Sequence, residues 1–276
     1  MVDNSAKDQI EKIEIELFLE AIYRQYGFDY RNYAYESIRR RIWYSARETK
    51  VTTISEYQGK VLYQPELMKK LANNISITVT EMFRDPTFFQ SFRSNIVPNL
   101  QKQPLLRIWI AGCSSGEEVY SLAILLYEEG LYDRATIYAT DINEEILEKA
   151  KEGKISLHHM QHYTRSYLEA GGQQEFSKYY KVNSEHAILE PFLKKNIIFA
   201  HHNLATDHSF NEFHVIICRN VLIYFNNELK DRVFQLFYDS LGEGGFLCLG
   251  SQESIIASNH FLDVDYGNRL YKKAFP

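Results

Sequence analysis

Hydrophobic and polar positions divide the chain into two stretches with different periods. Up to about residue 75 the apolar residues recur only at helical spacing. Ile10, Ile13, Leu17 and Ala21 mark a first helix with Gly27 as its stop. Ser37 is placed to cap a second, in which Ile38, Ile42 and Ala46 share one face. Shorter helices are predicted over 54–62 and 65–72. Ile75 to Thr80 reads as extended chain or linker. Asp85-Pro86 then reads as a helix start, with Asp as N-cap and Pro at the first helical position, in a helix running to about Leu100.

From Leu105 strands alternate with helices. LLRIWIAG, ATIYATDI, NIIFAHHNL, FHVIICRN and GGFLCLGS are apolar runs of strand length, and NRLYKKAF is a last strand. Between them Val119, Leu122, Ala123 and Leu126 form a helical stripe. Asn143 is placed to cap a helix that buries Ile146, Leu147 and Ala150 and closes at Gly153. NNELKDRVFQLFYDSL is amphipathic at helical period. The pattern predicts an α/β fold with a mostly parallel sheet covered on both faces. Lys154 to Lys195 interrupts it with a polar stretch rich in Tyr and His, too long for an ordinary connection. The expected organisation is a helical N-terminal domain over 1–78, a linker and connecting helix over 79–104, and an α/β domain over 105–276, with 154–195 inserted as a subdomain.

Composition narrows this picture. A chain of 276 residues suffices for one large domain or two ordinary ones. Hydrophobic content of 45 % and charged content of 24 % are those of a globular protein. The net charge of −5 carries no footprint for nucleic acid, and no nucleic-acid partner is expected. One stretch departs from the mean: from Arg24 to Lys50 six arginines and one lysine face Asp29, Glu36 and Glu48, a local balance of +4. Cys113, Cys218 and Cys248 lie in apolar runs without a CxxC pair, which argues against disulfides or zinc. His158, His159, His162, His201 and His202 lack carboxylate or cysteine company and are read as surface or packing residues, so no metal is expected. No charged-then-apolar leader opens the chain and no apolar run approaches ~20 residues. The expectation is a soluble, cytoplasmic protein without direct membrane insertion.

The chemistry concentrates at Gly112-Cys113-Ser114-Ser115-Gly116, between the first strand and its helix. Glycines there let the backbone approach a ligand at the carboxyl end of a strand, where open α/β sheets bind theirs. The loop lacks GxGxxG spacing, which argues against a nicotinamide dinucleotide. Glu117 and Glu118 open the helix and would repel a phosphate. They suit a cationic or hydroxyl-bearing ligand, and S-adenosylmethionine offers an ammonium, a sulfonium and a ribose. Asp141 ends the second strand, where an acidic side chain can take both ribose hydroxyls. The same pentapeptide matches GxSxG, the nucleophile elbow of serine hydrolases, with Ser114 as nucleophile and Asp207 or Asp239 with His260 as partners. About 100 mostly helical residues before it argue against that topology.

Several strings occur together in a fixed order: Thr78-Val79-Thr80-Glu81-Met82-Phe83-Arg84-Asp85, AGCSSGEEVYS, ATDIN, and CRNVLIYF followed by GGFLCLGSQES. In that order the chain resembles the CheR-type chemotaxis methyltransferases from about residue 10 to 270, and YESIRRRIWYSA resembles their basic N-terminal helix. The resemblance implies a Rossmann-like S-adenosylmethionine-dependent methyltransferase domain, a small all-helical N-terminal domain and an inserted β-subdomain. It implies methyl transfer from S-adenosylmethionine to glutamates on the cytoplasmic methylation helices of chemoreceptors, leaving S-adenosylhomocysteine. Thr78, Thr80 and Arg84 match positions at the cofactor's methionine end and reaction centre. Gly112 belongs to the cofactor loop, Glu118 and Asp141 match cofactor contacts, and Asn203-Leu204 match the adenine side. Asn220 and Val221 match positions beside the cofactor, and Tyr224 matches an aromatic near the transferred methyl. Arg84 and Tyr224 are the catalytic candidates. A glutamate is already ionised at neutral pH, so the transfer needs no general base.

The basic stretch offers Arg39, Arg40, Arg41 and Arg47 as a docking surface for acidic receptor helices. Helical spacing puts Arg40 and Arg47 on one side and Ile38, Ile42 and Ala46 on another. Val119 stands where the family often has proline, and Thr78 where it often has asparagine. Between Tyr180 and Leu193 the insertion is a few residues short, and Gly171-Gly172 lies upstream, so tethering to a receptor's C-terminal peptide is not expected. The alternative reading is a non-catalytic module of the same family that senses S-adenosylmethionine or acts as a scaffold in a signalling complex.

Overall fold

The computed structural model describes residues 4–76, 80–255 and 260–274. Thr78, with Ile77 and Val79 on either side of it in the stretch read as extended chain or linker, lies outside the described residues. The chain forms two units, Met1–Ile77 with Ile223–Val233, and Thr78–Leu222 with Phe234–Pro276.

The first unit contains α1 (Asn4–Tyr26), α2 (Tyr35–Ala46), α3 (Ile54–Tyr63) and α4 (Pro65–Ile75). Gly27 ends α1 at φ +77°, a left-handed turn that glycine enters without a Cβ clash. The apolar repeat marks α1 but not its buried side. Ile10, Ile13 and Leu17 are exposed, whereas Ile15, Phe18, Leu19 and Ile22 are buried. Ile38, Ile42 and Ala46 of α2 do pack inward, with Tyr57, Val61, Leu71 and Ile75. Ser37 does not cap α2. The helix begins three residues earlier, after Ala34, whose N–H donates to the carbonyl of Tyr224 at 2.8 Å. Tyr33 meets Phe225 edge-on at 5.1 Å, and Asn226 N–H donates to the Asn32 carbonyl at 3.0 Å. The segment 223–233 is thus bonded into the helical unit, although it follows far downstream in sequence.

In the second unit α5 (Pro86–Ser91), a π-turn (Phe92–Ile96) and α6 (Val97–Leu100) make one helical run ending at the predicted Leu100. There follow β1 (Leu106–Ala111), α7 (Glu117–Glu128), β2 (Ala135–Asp141), α8 (Glu144–Glu152), β3 (Lys154–Ser156) and α9 (Leu157–Glu169). Then come β4 (Tyr180–Val182), β5 (His186–Leu189), β6 (Ile197–His201), β7 (Phe213–Cys218), α10 (Asn227–Ser240), whose residues up to Val233 belong to the first unit, β8 (Leu241–Leu249), β9 (Phe261–Asp265) and β10 (Leu270–Lys273). Seven strands form one sheet in the order β6-β2-β1-β7-β8-β10-β9. The pairs from β6 to β8 are parallel, and β10 runs antiparallel to both neighbours. This is the α/β fold with a mostly parallel sheet that the alternation predicts, and the Rossmann-like domain that the resemblance implies.

Successive residues of a strand face opposite sides, and the central strands are buried on both. Ile108 and Ile110 join Ile137, Val215, Ile217, Leu122 and Leu126 in the main core. Trp109 between them is fully buried, edge-on to Phe237 at 5.5 Å, with its indole N–H on Thr140 Oγ1 at 2.8 Å. The insertion forms a second, antiparallel sheet in the order β3-β5-β4 beside α9. It is joined to the main core through Tyr163, Tyr167, Phe176 and Tyr179. Among the described residues, no helix is long and apolar enough to cross a membrane.

Candidate functional site

Register aligns the strand ends. Ala111 pairs with Thr140, Asp141 with His201, and Ile110 with Ile217. The carboxyl ends of β6, β2, β1 and β7 therefore lie side by side, and their loops leave one edge of the sheet. Gly112, Asp141, Asn203, Leu204, Asn220 and Val221 sit in those loops or at their roots, and Glu118 sits in the first turn of α7. In an open parallel sheet this edge is where ligands bind.

The loops are strained. Phe83, Asp85, Ser114 and Asn220 have φ of +53°, +55°, +51° and +61°, a region that non-glycine residues rarely adopt. Each such residue needs surrounding structure to hold it. For Ser114 the holder is Asp141. One carboxylate oxygen accepts the Ser114 N–H at 2.9 Å and the other the Asn143 N–H at 3.0 Å. Asn143 in turn caps α8 through the Ile146 N–H, as its position predicts, which leaves Asp141 to the loop. For Phe83 the holder is Ser121, whose Oγ accepts the Phe83 N–H at 2.8 Å and donates to the Glu117 carbonyl at 2.7 Å.

Asp85 is held by Arg219, which the sequence reading passed over. The Arg219 side chain is 2 % exposed and lies 4.1 Å above the Phe88 ring. Its guanidinium donates to the Asp85 carboxylate at 2.7 Å, to the Arg84 carbonyl at 3.2 Å, and to Glu118. Asp85 thus occupies the N-cap position of α5 without a side-chain cap, because its carboxylate is turned to Arg219. For Asn220 the holder is Glu253, whose carboxylate accepts the N–H groups of Asn220, Val221 and Leu222.

Gly112 stands at φ +80°, and a Cβ there would lie 2.4 Å from Val221 Cγ2. Val221 is therefore packed against bare backbone, which only glycine permits. Asn203 is buried and makes a turn, its Oδ1 accepting the Ala205 N–H at 2.9 Å, and Leu204 is buried beside it. Thr80 and the Arg84 side chain are half-buried at the head of their loop. Tyr224 belongs to the helical unit, where the Arg41 guanidinium lies 4.6 Å from its ring centroid.

Burial pushes the carboxyl of Asp141 above its usual range, against the opposing pull of the N–H groups of Asn143, Ser114 and Ile142. Burial likewise raises Glu117. Burial raises the Cys113 thiol well above its ordinary value, which favours the neutral thiol. Ser114 Oγ is buried without a hydrogen-bond partner among the described residues. His260 instead stacks on Tyr238 at 4.5 Å, and Asp239 accepts from Gln235. This agrees with the topological argument against a serine hydrolase: the pentapeptide is present, but among the described residues no triad partner is bonded to Ser114 Oγ.

Residues 78–267 match the family described as "CheR methyltransferase, SAM binding domain", and residues 13–76 match "CheR methyltransferase, all-alpha domain". The chain belongs to the CheR methyltransferase family. It is 46 % identical to Cher3 of Pseudomonas putida, over 95 % of this chain and 97 % of that one. It is 33 % identical to a chemotaxis protein methyltransferase of Listeria innocua, over 91 % of each chain. A chemotaxis protein methyltransferase of Borreliella burgdorferi is 27 % identical over 89 % of each.

S-adenosylmethionine is the cofactor of this CheR protein, and the residues present fit it. The bare backbone at Gly112 admits close approach, Ser114 Oγ is an open hydrogen-bond position on the same loop, and the carboxylates at the start of α7 suit a cation rather than a phosphate. Among the described residues no group of three or more His, Cys, Asp or Glu is placed to hold a metal ion.

The proposed docking arginines separate in the structure. Arg40 and Arg47 are exposed, and Arg47 lies over the Tyr44 ring at 3.9 Å. Arg39 is tied to Glu11 through two hydrogen bonds of 2.8 and 3.1 Å. Arg41 is 7 % exposed and donates to the Ile75 carbonyl, so it is withdrawn from the docking set. Its helix turns it toward α4, where the unpaired carbonyl at the end of that helix takes the charge.

Proposed function

We propose that this CheR protein methylates glutamate side chains on the cytoplasmic helices of chemoreceptors, forming glutamyl methyl esters. The observation that carries the reading is the convergence of Gly112, Glu118, Asp141, Asn203, Leu204, Asn220 and Val221 on the carboxyl edge of four parallel strands. When bound, S-adenosylmethionine supplies an activated methyl group. Asp141 faces the ribose hydroxyls, Asn203 and Leu204 flank the adenine, and Asn220 and Val221 close the cofactor's side. Thr80 and Arg84 serve the methionine end, and Tyr224 is assigned to the reacting methyl by the family resemblance. Thr78, assigned with them, stays an expectation.

The acceptor carboxylate is ionised at neutral pH, so the protein's task is alignment, which can supply ~7–11 kcal/mol of the barrier. Strained loops pinned by buried charged groups are suited to it, because a rigid site loses little in ordering. Arg40 and Arg47 offer the exposed positive charge that an acidic receptor helix would meet.

The test is transfer of labelled methyl to a receptor cytoplasmic fragment, with mild base releasing the label as methanol. Cofactor binding without transfer to any of several receptor fragments would refute the enzyme and leave the sensor. S-adenosylhomocysteine should bind well, since the methyl is a small part of the recognised surface.

A further inference from the structure

Glu253 is 4 % exposed and is not among the residues assigned to the cofactor or to catalysis above. Oε2 accepts the N–H of Asn220 at 2.9 Å and of Gly250 at 2.7 Å. Oε1 accepts the N–H of Val221 at 2.9 Å and of Leu222 at 2.7 Å. Three consecutive amides converge on one point, with Asn220 in the left-handed region. Such a run of N–H groups is an anion-binding nest of the kind that elsewhere holds phosphate. Here the anion is the chain's own. Gly250 makes room for it: a Cβ there would lie 2.8 Å from both the Asn220 nitrogen and the Glu253 carboxylate.

From this geometry we infer that Glu253 is a positioning residue that sets cofactor affinity by filling the nest and fixing Val221 against Gly112. The inference rests on the reading that the 220–222 loop lines the cofactor site. Charge and acceptor count carry the effect, not shape. Glutamine has nearly the same outline, but whichever way its amide turns it sets an NH2 group against two N–H donors and keeps only two of the four bonds. Two buried amides then lack acceptors, which is the expensive way to break a hydrogen bond. The loop should relax from the strained conformation at Asn220.

The experiment is calorimetric titration of S-adenosylhomocysteine into wild type, Glu253→Gln and Val221→Ala, with initial rates against S-adenosylmethionine where a receptor fragment is methylated. Glu253→Gln should weaken S-adenosylhomocysteine binding at least tenfold and raise KM for S-adenosylmethionine in parallel, with kcat within about threefold. Val221→Ala should weaken binding severalfold. If Val221→Ala weakens binding and a folded Glu253→Gln does not, the clamp is wrong and the loop assignment stands. If neither weakens it, the loop assignment falls and the clamp with it. A fall in kcat at unchanged KM would also overturn the clamp. Should Glu253→Gln fail to fold, amide exchange in the wild-type protein decides. The N–H groups of Asn220, Val221, Leu222 and Gly250 should exchange far more slowly than those of Ser251 and Gln252, and equal rates would overturn the proposal.

Discussion

Replacing Gly112 by alanine puts a methyl where Val221 already is. The new Cβ would sit 2.4 Å from Val221 Cγ2, against a normal carbon–carbon separation of ~3.5–4.0 Å. More than an ångström of movement is needed in a loop whose partner strand ends are locked by register. Overpacking of this kind costs about 1–3 kcal/mol. The left-handed φ of +80° adds about 1–2 kcal/mol for any residue bearing a Cβ. The expected loss for Gly112→Ala is then roughly 2–5 kcal/mol, a fall in melting temperature on the order of 10 °C. Val221→Ala alone removes two methyl carbons, a loss of about 1.5 kcal/mol. In the double variant the nearest Val221 atom left to the new methyl is Cβ at 3.5 Å, an ordinary contact. The double variant should therefore be more stable than the sum of the singles predicts, by about 1–3 kcal/mol. Thermal melts of all four proteins without ligand give the cycle. Additivity within about 0.5 kcal/mol would show that Val221 is not what Gly112 makes room for.

Three further outcomes follow from the same geometry. Arg219→Met removes the partner of Glu118 and Asp85 and should destabilise the protein by about 3 kcal/mol, with Arg219→Lys recovering little because a single ammonium nitrogen cannot stand in for the two guanidinium nitrogens that reach Glu118 and Asp85 separately; a denaturant titration of the lysine variant matching wild type would count against the fork. Affinity for S-adenosylhomocysteine should fall on acidification, beginning above the ordinary Asp pKa of 3.8, because burial raises Asp141 and its ionised form is the one that accepts two ribose hydroxyls. A raised folded-state pKa means that protonating Asp141 favours the folded state, so this group does not itself drive acid unfolding and the loss of affinity is one of binding alone; Asp141→Asn should flatten the profile in calorimetry. Arg40→Glu with Arg47→Glu should slow receptor methylation while leaving cofactor affinity unchanged, whereas Arg41→Glu should lower the melting temperature of the helical unit; unaltered methylation by the first pair would remove the docking surface.

The sheet was legible because its strands are apolar runs between helical stripes, and burial on both faces of β1 and β7 requires such runs. Asn143, Gly153 and Gly27 were legible for a different reason: each acts through its own backbone and the next few residues. The α1 repeat misled on the buried side because Ile10, Ile13 and Leu17 match the helical period as well as Ile15, Phe18, Leu19 and Ile22 do. Periodicity reports a helix without reporting which stripe meets a neighbour. Three of the four holders show the sharper limit. Ser121, Arg219 and Glu253 act on residues 38, 135 and 33 positions away or thereabouts. A buried charge is visible in a sequence only as a charge. Arg219 and Glu253 lie inside the strings CRN and GSQES, which drew attention as strings, while their function needed the fold to bring Asp85, Glu118 and three amides to them.

The path of the chain through residues 223–233 bears on how far the helical unit can be treated as a cassette. A fusion that transplanted only residues 4–76 onto another methyltransferase would carry Ala34, Tyr33 and Asn32 without the Tyr224 carbonyl, the Phe225 ring and the Asn226 amide that meet them. Exchange of substrate preference between relatives should therefore succeed only as a two-segment graft, and natural recombination at a single crossover near residue 77 should be selected against.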